Sequence, residues 1–260
     1  MAARGMLATM PRALVTGATA GIGHAFADAL AARGHDLVLV ARDEERLSSV
    51  AQALRQRDGV QVEVLRADLT ADDDLQRVTE ALTSTSAPVD LLVNNAGSSL
   101  AQWFGTTDIA DEDRQLDLLV RAPMHLMDAA LKAMSGRRGG AVINVASVAA
   151  FTPRGTYSAH KAWIVNLSQW AHLHYADVGV RVQALCPGFV RTEFHQRMGV
   201  DPGTVPRWMW LKAPAVVNAS LKDLDRGKAV SIPSLRYKVL TALTRIVPAG
   251  LVAKVAKRGR

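Results

Sequence analysis

The stretch Ala13–Gly23, ALVTGATAGIG, decides how the chain is read. A short apolar run, Ala13–Thr16, enters a turn containing Gly17, Gly21 and Gly23. A helical pattern, Ala25–Arg33, follows and is expected to cap at Gly34. Glycines between a strand and a helix permit a tight turn. They also let backbone approach a pyrophosphate at the positive end of the helix. A plain strand-to-helix turn has the same local signature, so the rest of the chain has to decide between them.

Further strand candidates are Leu37–Ala41, Gln61–Arg66, Leu91–Asn94, Ala141–Ala146, Val180–Cys186 and Ala229–Ile232. Most are nearly continuous apolar runs, as expected for strands buried on both faces of a parallel sheet. Helical patterns lie between them: Glu44–Gln56, with Leu47, Val50, Ala51 and Leu54 on one face; Asp72–Leu82, opened by three aspartates; Asp111–Met134; and Tyr157–Ala176. The alternation predicts an α/β, Rossmann-type doubly wound sheet with helices on both faces. Ligands of such sheets bind beyond the carboxyl ends of the strands. Residues 1–10 are expected to form a flexible N-terminus, 11–233 one dinucleotide-binding catalytic domain, and 234–260 a basic amphipathic tail. Val200–Pro214, with its prolines and tryptophans, breaks the alternation and reads as a binding loop or lid.

The 260 residues, 49% hydrophobic and 21% charged, suit one larger α/β domain. No long apolar uncharged window is present, and Met1–Met10 lacks the apolar centre of a secretory signal. One cysteine, Cys186, makes an internal disulfide or a cysteine-based zinc site impossible, and a reducing cytoplasm is the default. His172, His174 and His195 lack metal-ligand spacing, so no metal is expected. The net charge of +7 belongs to the end of the chain. Nine basic residues and no acid follow Asp225, whereas the first 225 residues carry 22 basic against 24 acidic groups. That distribution argues against a nucleic-acid groove.

Arg42 follows the second strand, where a dinucleotide fold meets the adenosine ribose. An arginine there suits a 2′-phosphate, so NADP(H) is preferred and NAD(H) is the alternative. The bland reading pairs Arg42 with Asp43 or Glu44. Asp68, after the third strand, either reaches adenine or caps a turn beside Thr70. Tyr157 and Lys161 share one helix face, and Ser147 lies ten residues before the tyrosine. An ammonium and an oxidised nicotinamide nearby would favour the phenolate, making the phenol a usable acid and base.

Thr16–Gly23 has the form TGxxxGIG, Asn94–Gly97 is NNAG, Tyr157–Lys161 is YxxxK, and Pro187-Gly188 with Thr192 forms PGxxxT. In this order the motifs resemble those of the short-chain dehydrogenase/reductases over about residues 11–235. Leu185–Phe194 and Ile232–Ser234 also resemble the subgroup loosely called DltE-like, whose members commonly handle hydrophobic or lipid carbonyls. The resemblance implies seven parallel strands in the order 3-2-1-4-5-6-7. It implies that Gly17, Thr19, Gly21 and Gly23 lie around the pyrophosphate, with Ile22 giving an amide. Asp68 and Leu69 would flank adenine, and Asn94, Ala96 and Gly97 the ribose region. Tyr157 would be the acid in reduction. Lys161 would hold the nicotinamide ribose and lower the phenol pKa, and Ser147 would orient the carbonyl. Pro187, Gly188, Val190 and Thr192 would wrap the nicotinamide. Two departures stand out. Leu119 occupies the position of an asparagine that supports a water relay to the lysine, and the loop from Ser147 to Tyr157 is about three residues short.

Other residues have two readings each. His160 either reaches the site or is structural. His24 either touches phosphate or leaves that work to the loop amides, and Cys186 reads as a small buried apolar residue rather than a nucleophile. Trp208 and Trp210 either line an apolar substrate pocket or pack the lid. In the tail, Leu235, Val239, Leu243 and Ile246 recur at helical spacing among basic residues. Such a segment either lies on an anionic membrane surface or folds back over the protein or a subunit partner.

The reading is an NADP(H)-dependent oxidoreductase interconverting a carbonyl and a secondary alcohol on a hydrophobic, lipid or ketoacyl substrate. It is expected to be cytoplasmic or peripheral to a membrane, and homo-oligomeric. The alternative is a weakly catalytic NADP(H)-sensing protein on the same fold.

Overall fold

A computed structural model describes residues 10–194 and 205–244. Most of the expected N-terminal segment, the beginning of the Val200–Pro214 excursion, His195 and the tail from residue 245 onward lie outside the described residues.

The chain folds as β1 (Arg12–Thr16), α1 (Gly21–Ala31), β2 (Asp36–Ala41), α2 (Glu44–Asp58), β3 (Val62–Arg66), α3 (Asp72–Thr83) and β4 (Leu91–Asn94). Then come α4 (Ile109–Leu116), α5 (Ala122–Arg137), β5 (Gly140–Val145), α6 (Thr156–His174), β6 (Val180–Leu185), α7 (Ala213–Asp225), β7 (Val230–Ser231) and α8 (Leu235–Leu243). The strands form one parallel sheet in the order 3-2-1-4-5-6-7. The family-implied order and the doubly wound class both hold.

Alternation along the strands divides the core. Ala13, Val15, Leu37, Leu39, Leu91, Val93, Ala141 and Ile143 pack into one layer, whereas Leu14, Val38, Leu92, Val142 and Val182 pack into the other. Both faces are apolar because helices cover both, which is why the strands read as continuous hydrophobic runs. Among the described residues, no helix is long and apolar enough to cross a membrane.

Three expectations need correction. The helix after the glycine loop starts earlier, at Gly21, and ends at Ala31; Gly34, at φ +78°, closes the turn after it. The long pattern Asp111–Met134 is not one regular helix. A π-helical turn, Asp117–Arg121, joins α4 to α5, and Pro123 lies just beyond it. Proline has no amide to give the preceding turn, so the hydrogen-bond ladder widens there. The last strand is shorter than Ala229–Ile232 and keeps only Val230–Ser231.

A polar chain crosses the apolar core beside the carboxyl ends of the central strands. Asn94 Nδ2 donates to Asn144 Oδ1 at 2.9 Å, and Asn144 Nδ2 donates to Ser168 Oγ at 2.9 Å. Ser168 Oγ donates onward to Ile164 O at 2.6 Å. This chain ties β4, β5 and α6 together. Asn144→Leu should leave Asn94 without its acceptor and Ser168 without its donor. Urea unfolding is expected to show a loss of about 2–3 kcal/mol; an unchanged midpoint would contradict the assigned role.

Candidate active site

The glycine loop is built by close contacts. The amides of Gly17 and Ala18 both donate to Val40 O, at 2.8 and 3.3 Å, which ties the loop to β2. Asn95 holds it from the other side, donating through Nδ2 to Thr16 O at 2.8 Å and Gly17 O at 3.2 Å. Thr16 Oγ1 in turn accepts from the amides of Asn95 and Ala96. A Cβ at residue 23 would lie 2.2 Å from Gly17 O and 2.4 Å from Asn95 Nδ2, so only glycine fits. Gly17 and Gly21 have φ of +65° and +59°.

The N-terminus of α1 is left open by this arrangement. Ala20, its N-cap, supplies no side-chain acceptor, and the first turn contains no acid. Backbone donors at a helix start, reachable across glycine, suit a phosphate. The cradle therefore fits the pyrophosphate of a dinucleotide. His24 beside it lies 3.3 Å from Asp28 at its Nδ1.

At the far end of β2, Arg42 is exposed and makes no ion pair among the described residues. Asp43 instead caps α2 through the Arg46 amide and pairs with the Arg46 side chain. The Asp68 carboxylate accepts from Thr70 N at 3.0 Å and Thr70 Oγ1 at 2.8 Å, so it shapes the turn after β3. Leu69 is buried beside it.

Ser147, Tyr157 and Lys161 meet beyond β5. Ser147 follows that strand and caps a short 3-10 turn, Val148–Phe151, accepting from Ala149 N at 3.1 Å. Tyr157 and Lys161 lie one turn apart at the start of α6. Ser147 is close enough to Tyr157 to influence the phenol, and Lys161 Nζ stands 5.8 Å from the phenol ring centre. Lys161 Nζ donates to Val145 O at 2.7 Å.

The electrostatics differ from the expected depression of the phenol. Burial pushes Tyr157 up to about 12, with the nearby Ser147 hydroxyl pulling it down less. Burial also draws Lys161 down to about 8. Both shifts favour neutral groups, because a buried charge loses its hydration. Cys186 is buried nearby and its thiol is pushed up to about 12 by burial, as suits a packing residue.

Leu119 sits in the π-helical turn and is 2% exposed. Its Cδ2 comes within 3.1 Å of where a Cβ on Gly97 would lie, and Lys161 Nζ within 3.9 Å. A small void beneath Lys161 is lined by Asn94, Ala96, Leu119, Pro123, Val145 and Ile164. A second, more open cavity adjoins Tyr157; Leu100, Trp103, Phe104, Gln115 and Arg154 are among its walls.

The segment after β6 closes the site. Val148 N donates to Pro187 O at 3.0 Å, and Val190 forms a bridge to Leu211. The methyl group of Thr192 would lie 3.0 Å from a Cβ on Gly21, so this segment crosses over the glycine loop. Phe194 places its ring 6.3 Å from that of Tyr157. Trp210 lies 5.7 Å from Phe189, and its Nε1 donates to Val205 O. Trp208 is exposed.

Several functional positions were not singled out from the sequence. Asn95 is visible inside NNAG, but its role as the loop's staple needs the third dimension. Tyr237, on α8, has its ring in the space a Cβ on Gly188 would occupy. Its hydroxyl accepts from Phe189 N at 3.0 Å and donates to Met209 O at 2.8 Å. It thus locks the segment after β6 to the segment around Met209. Its signal was being the single aromatic residue in 234–260. Glu112 and Gln115 were read as part of an ordinary helix, yet both are buried.

Known proteins are similar to this chain in sequence and in fold. The family model described as short chain dehydrogenase matches residues 11–202. An uncharacterized oxidoreductase of Staphylococcus epidermidis is 34% identical over 223 residues, covering 85% of this chain and 93% of that protein. The solved structure of a short-chain dehydrogenase from Sphingobium yanoikuyae in complex with NADPH is 37% identical, with a TM-score of 0.83 over 91% of this chain and 94% of the other. A bulky-bulky ketone specific alcohol dehydrogenase from Comamonas testosteroni is 33% identical, with a TM-score of 0.79 over 91% and 92%. The glycine cradle, the Ser147–Tyr157–Lys161 cluster and these matches agree: the chain belongs to the short-chain dehydrogenase family and is an NAD(P)-dependent oxidoreductase.

Proposed function

We propose that the protein is an NADP(H)-dependent enzyme interconverting a bulky, largely apolar ketone and its secondary alcohol. The observation that carries this reading is the Tyr157 phenol beside Ser147, on a cavity where Leu100, Trp103 and Phe104 share the wall with Ser99, Gln102, Gln115 and Arg154. The name of the Comamonas relative, which is specific for bulky-bulky ketones, supports the same substrate class. Trp208 and Trp210 remain candidates for the substrate side, and a ketoacyl or other lipid carbonyl is the proposed natural form. NADP(H) is proposed over NAD(H) because the Arg42 guanidinium is exposed and unengaged by an acid among the described residues. The Sphingobium relative carries NADPH.

When bound, the nicotinamide supplies or accepts a hydride. The chain's residues do the rest. Gly17, Thr19, Gly21, Ile22 and Gly23 hold the phosphates, while Asp68, Leu69, Asn94, Ala96 and Gly97 flank the adenosine side. Pro187, Gly188, Val190 and Thr192 enclose the nicotinamide side. Ser147 orients the carbonyl oxygen, and Tyr157 gives it a proton. A phenol raised to about 12 carries its proton at neutral pH, and a charge beside it is needed to bring it nearer the working pH of a general acid. Lys161 holds the ribose and, when charged, favours the phenolate that reduction leaves behind.

A catalytically weak NADP(H) sensor is the second reading, and Leu119 favours it by removing a polar group from beneath Lys161. The exposed Met124, Trp170 and Leu173 on α5 and α6 support a homo-oligomer; a light-scattering mass of one chain would remove that proposal. The exposed Leu235, Val239, Leu240 and Leu243 support a surface-seeking role for 234–260 at a membrane facing the cytoplasm. Replacing Leu235 and Leu243 together by Asp spares Tyr237. That variant should lose sedimentation with anionic liposomes, and unchanged sedimentation would refute membrane contact.

Tyr157→Phe should lose ketone reduction by at least about 100-fold while keeping NADPH affinity within a few-fold. Normal turnover would overturn the assignment. Arg42→Ala should weaken NADPH by roughly tenfold or more, as expected for a lost charged hydrogen bond, and leave NADH nearly unchanged. Equal losses by calorimetry would show that Arg42 does not meet a 2′-phosphate.

A further inference from the structure

Reduction leaves Tyr157 without its proton, and the next cycle needs it back. The void beneath Lys161 offers a poor route. Asn94 Oδ1 is without a partner there and, with Lys161 Nζ, could hold a water, but Leu119, Pro123 and Ile164 make the rest of the wall apolar.

The opposite side of the helix is different. Where α4 packs on α6, four polar side chains are buried together: Glu112 at 7% exposure, Gln115 at 2%, Ser158 at 4% and His160 at 9%. Glu112 Oε2, both amide atoms of Gln115, Ser158 Oγ and His160 Nδ1 have no hydrogen-bond partner within the described chain. Buried polar groups are seldom left so, since each costs about 1–3 kcal/mol, and shared internal water is the ordinary remedy. Gln115 also lines the cavity that Tyr157 opens on, which joins the cluster to the reacting side. His160 is three residues from Tyr157 and adjacent to Lys161 in sequence.

We infer that Glu112, Gln115 and His160 form a hydrated proton relay that reprotonates Tyr157, replacing a route that Leu119 closes. This rests on the reading of Tyr157 as the acid in carbonyl reduction. In each cycle a hydride bonds to the carbonyl carbon and the phenol proton goes to the carbonyl oxygen, leaving a phenolate. Waters along Gln115 pass a proton to the phenolate. The imidazole gives up one proton from one ring nitrogen and takes one from solvent at the other. One solvent proton is consumed per alcohol formed, and no further redox partner is needed. Burial lowers the His160 pKa; Glu112 from α4 raises it and Lys161 on its own helix lowers it. The result is a neutral imidazole near pH 7, able to donate and accept at once.

The test follows NADPH oxidation in stopped flow with ethyl acetoacetate and acetophenone as probes, using wild type, His160→Gln, His160→Ala and Glu112→Gln. The relay predicts a burst of one equivalent at the wild-type rate in both His160 variants. Steady turnover then falls at least tenfold with an unchanged kcat/KM for the ketone, and added imidazole restores His160→Ala. Glu112→Gln should move the lower limb of the pH–rate profile to lower pH. Wild-type steady turnover in both His160 variants would overturn the relay. So would a burst and steady rate that fall together without imidazole rescue, since that marks a structural role. If the wild type binds NADPH but reduces neither ketone, the carbonyl-reductase reading fails and takes the relay with it.

Discussion

The tightest constraint in the molecule is the contact of Gly23 with Gly17 O and Asn95 Nδ2. It brings the start of α1 against the ends of β1 and β4, at the centre of the sheet. No side chain fits between them, so the helix N-terminus can stand directly over the strand ends. Asn95 satisfies the carbonyls of Thr16 and Gly17, which would otherwise turn toward the same space. The amides of the first helical turn are left for an anion. Thr192 closes over Gly21 from the segment after β6, and Tyr237 holds that segment through Gly188. The cofactor cleft is therefore defined by backbone approach more than by charged side chains.

The reacting cluster obeys a second constraint, burial. Lys161 is buried and Tyr157 half-buried, and burial drives their pKa values apart, to about 8 and about 12. The protein by itself favours a neutral phenol beside an amine close to losing its charge. A group that gives its proton as hydride is transferred is helped by dipoles already aimed at the charge that develops. Ser147 stands beside the phenol, held in place by its own bond to the Ala149 amide, and the buried Asn94–Asn144–Ser168 chain fixes the strands and helix that carry the cluster.

Much of this was legible in the amino-acid order. Apolar runs marked the strands to within about a residue, because burial on both faces leaves few positions for polar side chains. The ordered motifs named the cleft and the Ser147, Tyr157 and Lys161 cluster. What stayed hidden depends on packing between distant elements. The π-helical turn at Leu119 has the same hydrophobic periodicity as a regular helix, and only Pro123 hints at it. Glu112 and Gln115 look like solvated helix positions until α6 covers them. Tyr237 lies in a pattern that reads as a basic surface helix, although its ring fills the space beside Gly188. Asp68 had two readings, and its hydrogen bonds to Thr70 show the turn-capping one at work.

The account turns on whether the glycine cradle and Arg42 together make an NADP(H) site. The most direct measurement is calorimetric titration of the wild-type protein with NADPH and, separately, with NADH. One saturable site per chain, filled by NADPH well ahead of NADH, is the predicted result. Tighter binding of NADH would contradict the 2′-phosphate role of Arg42, and binding of neither would contradict the cradle itself.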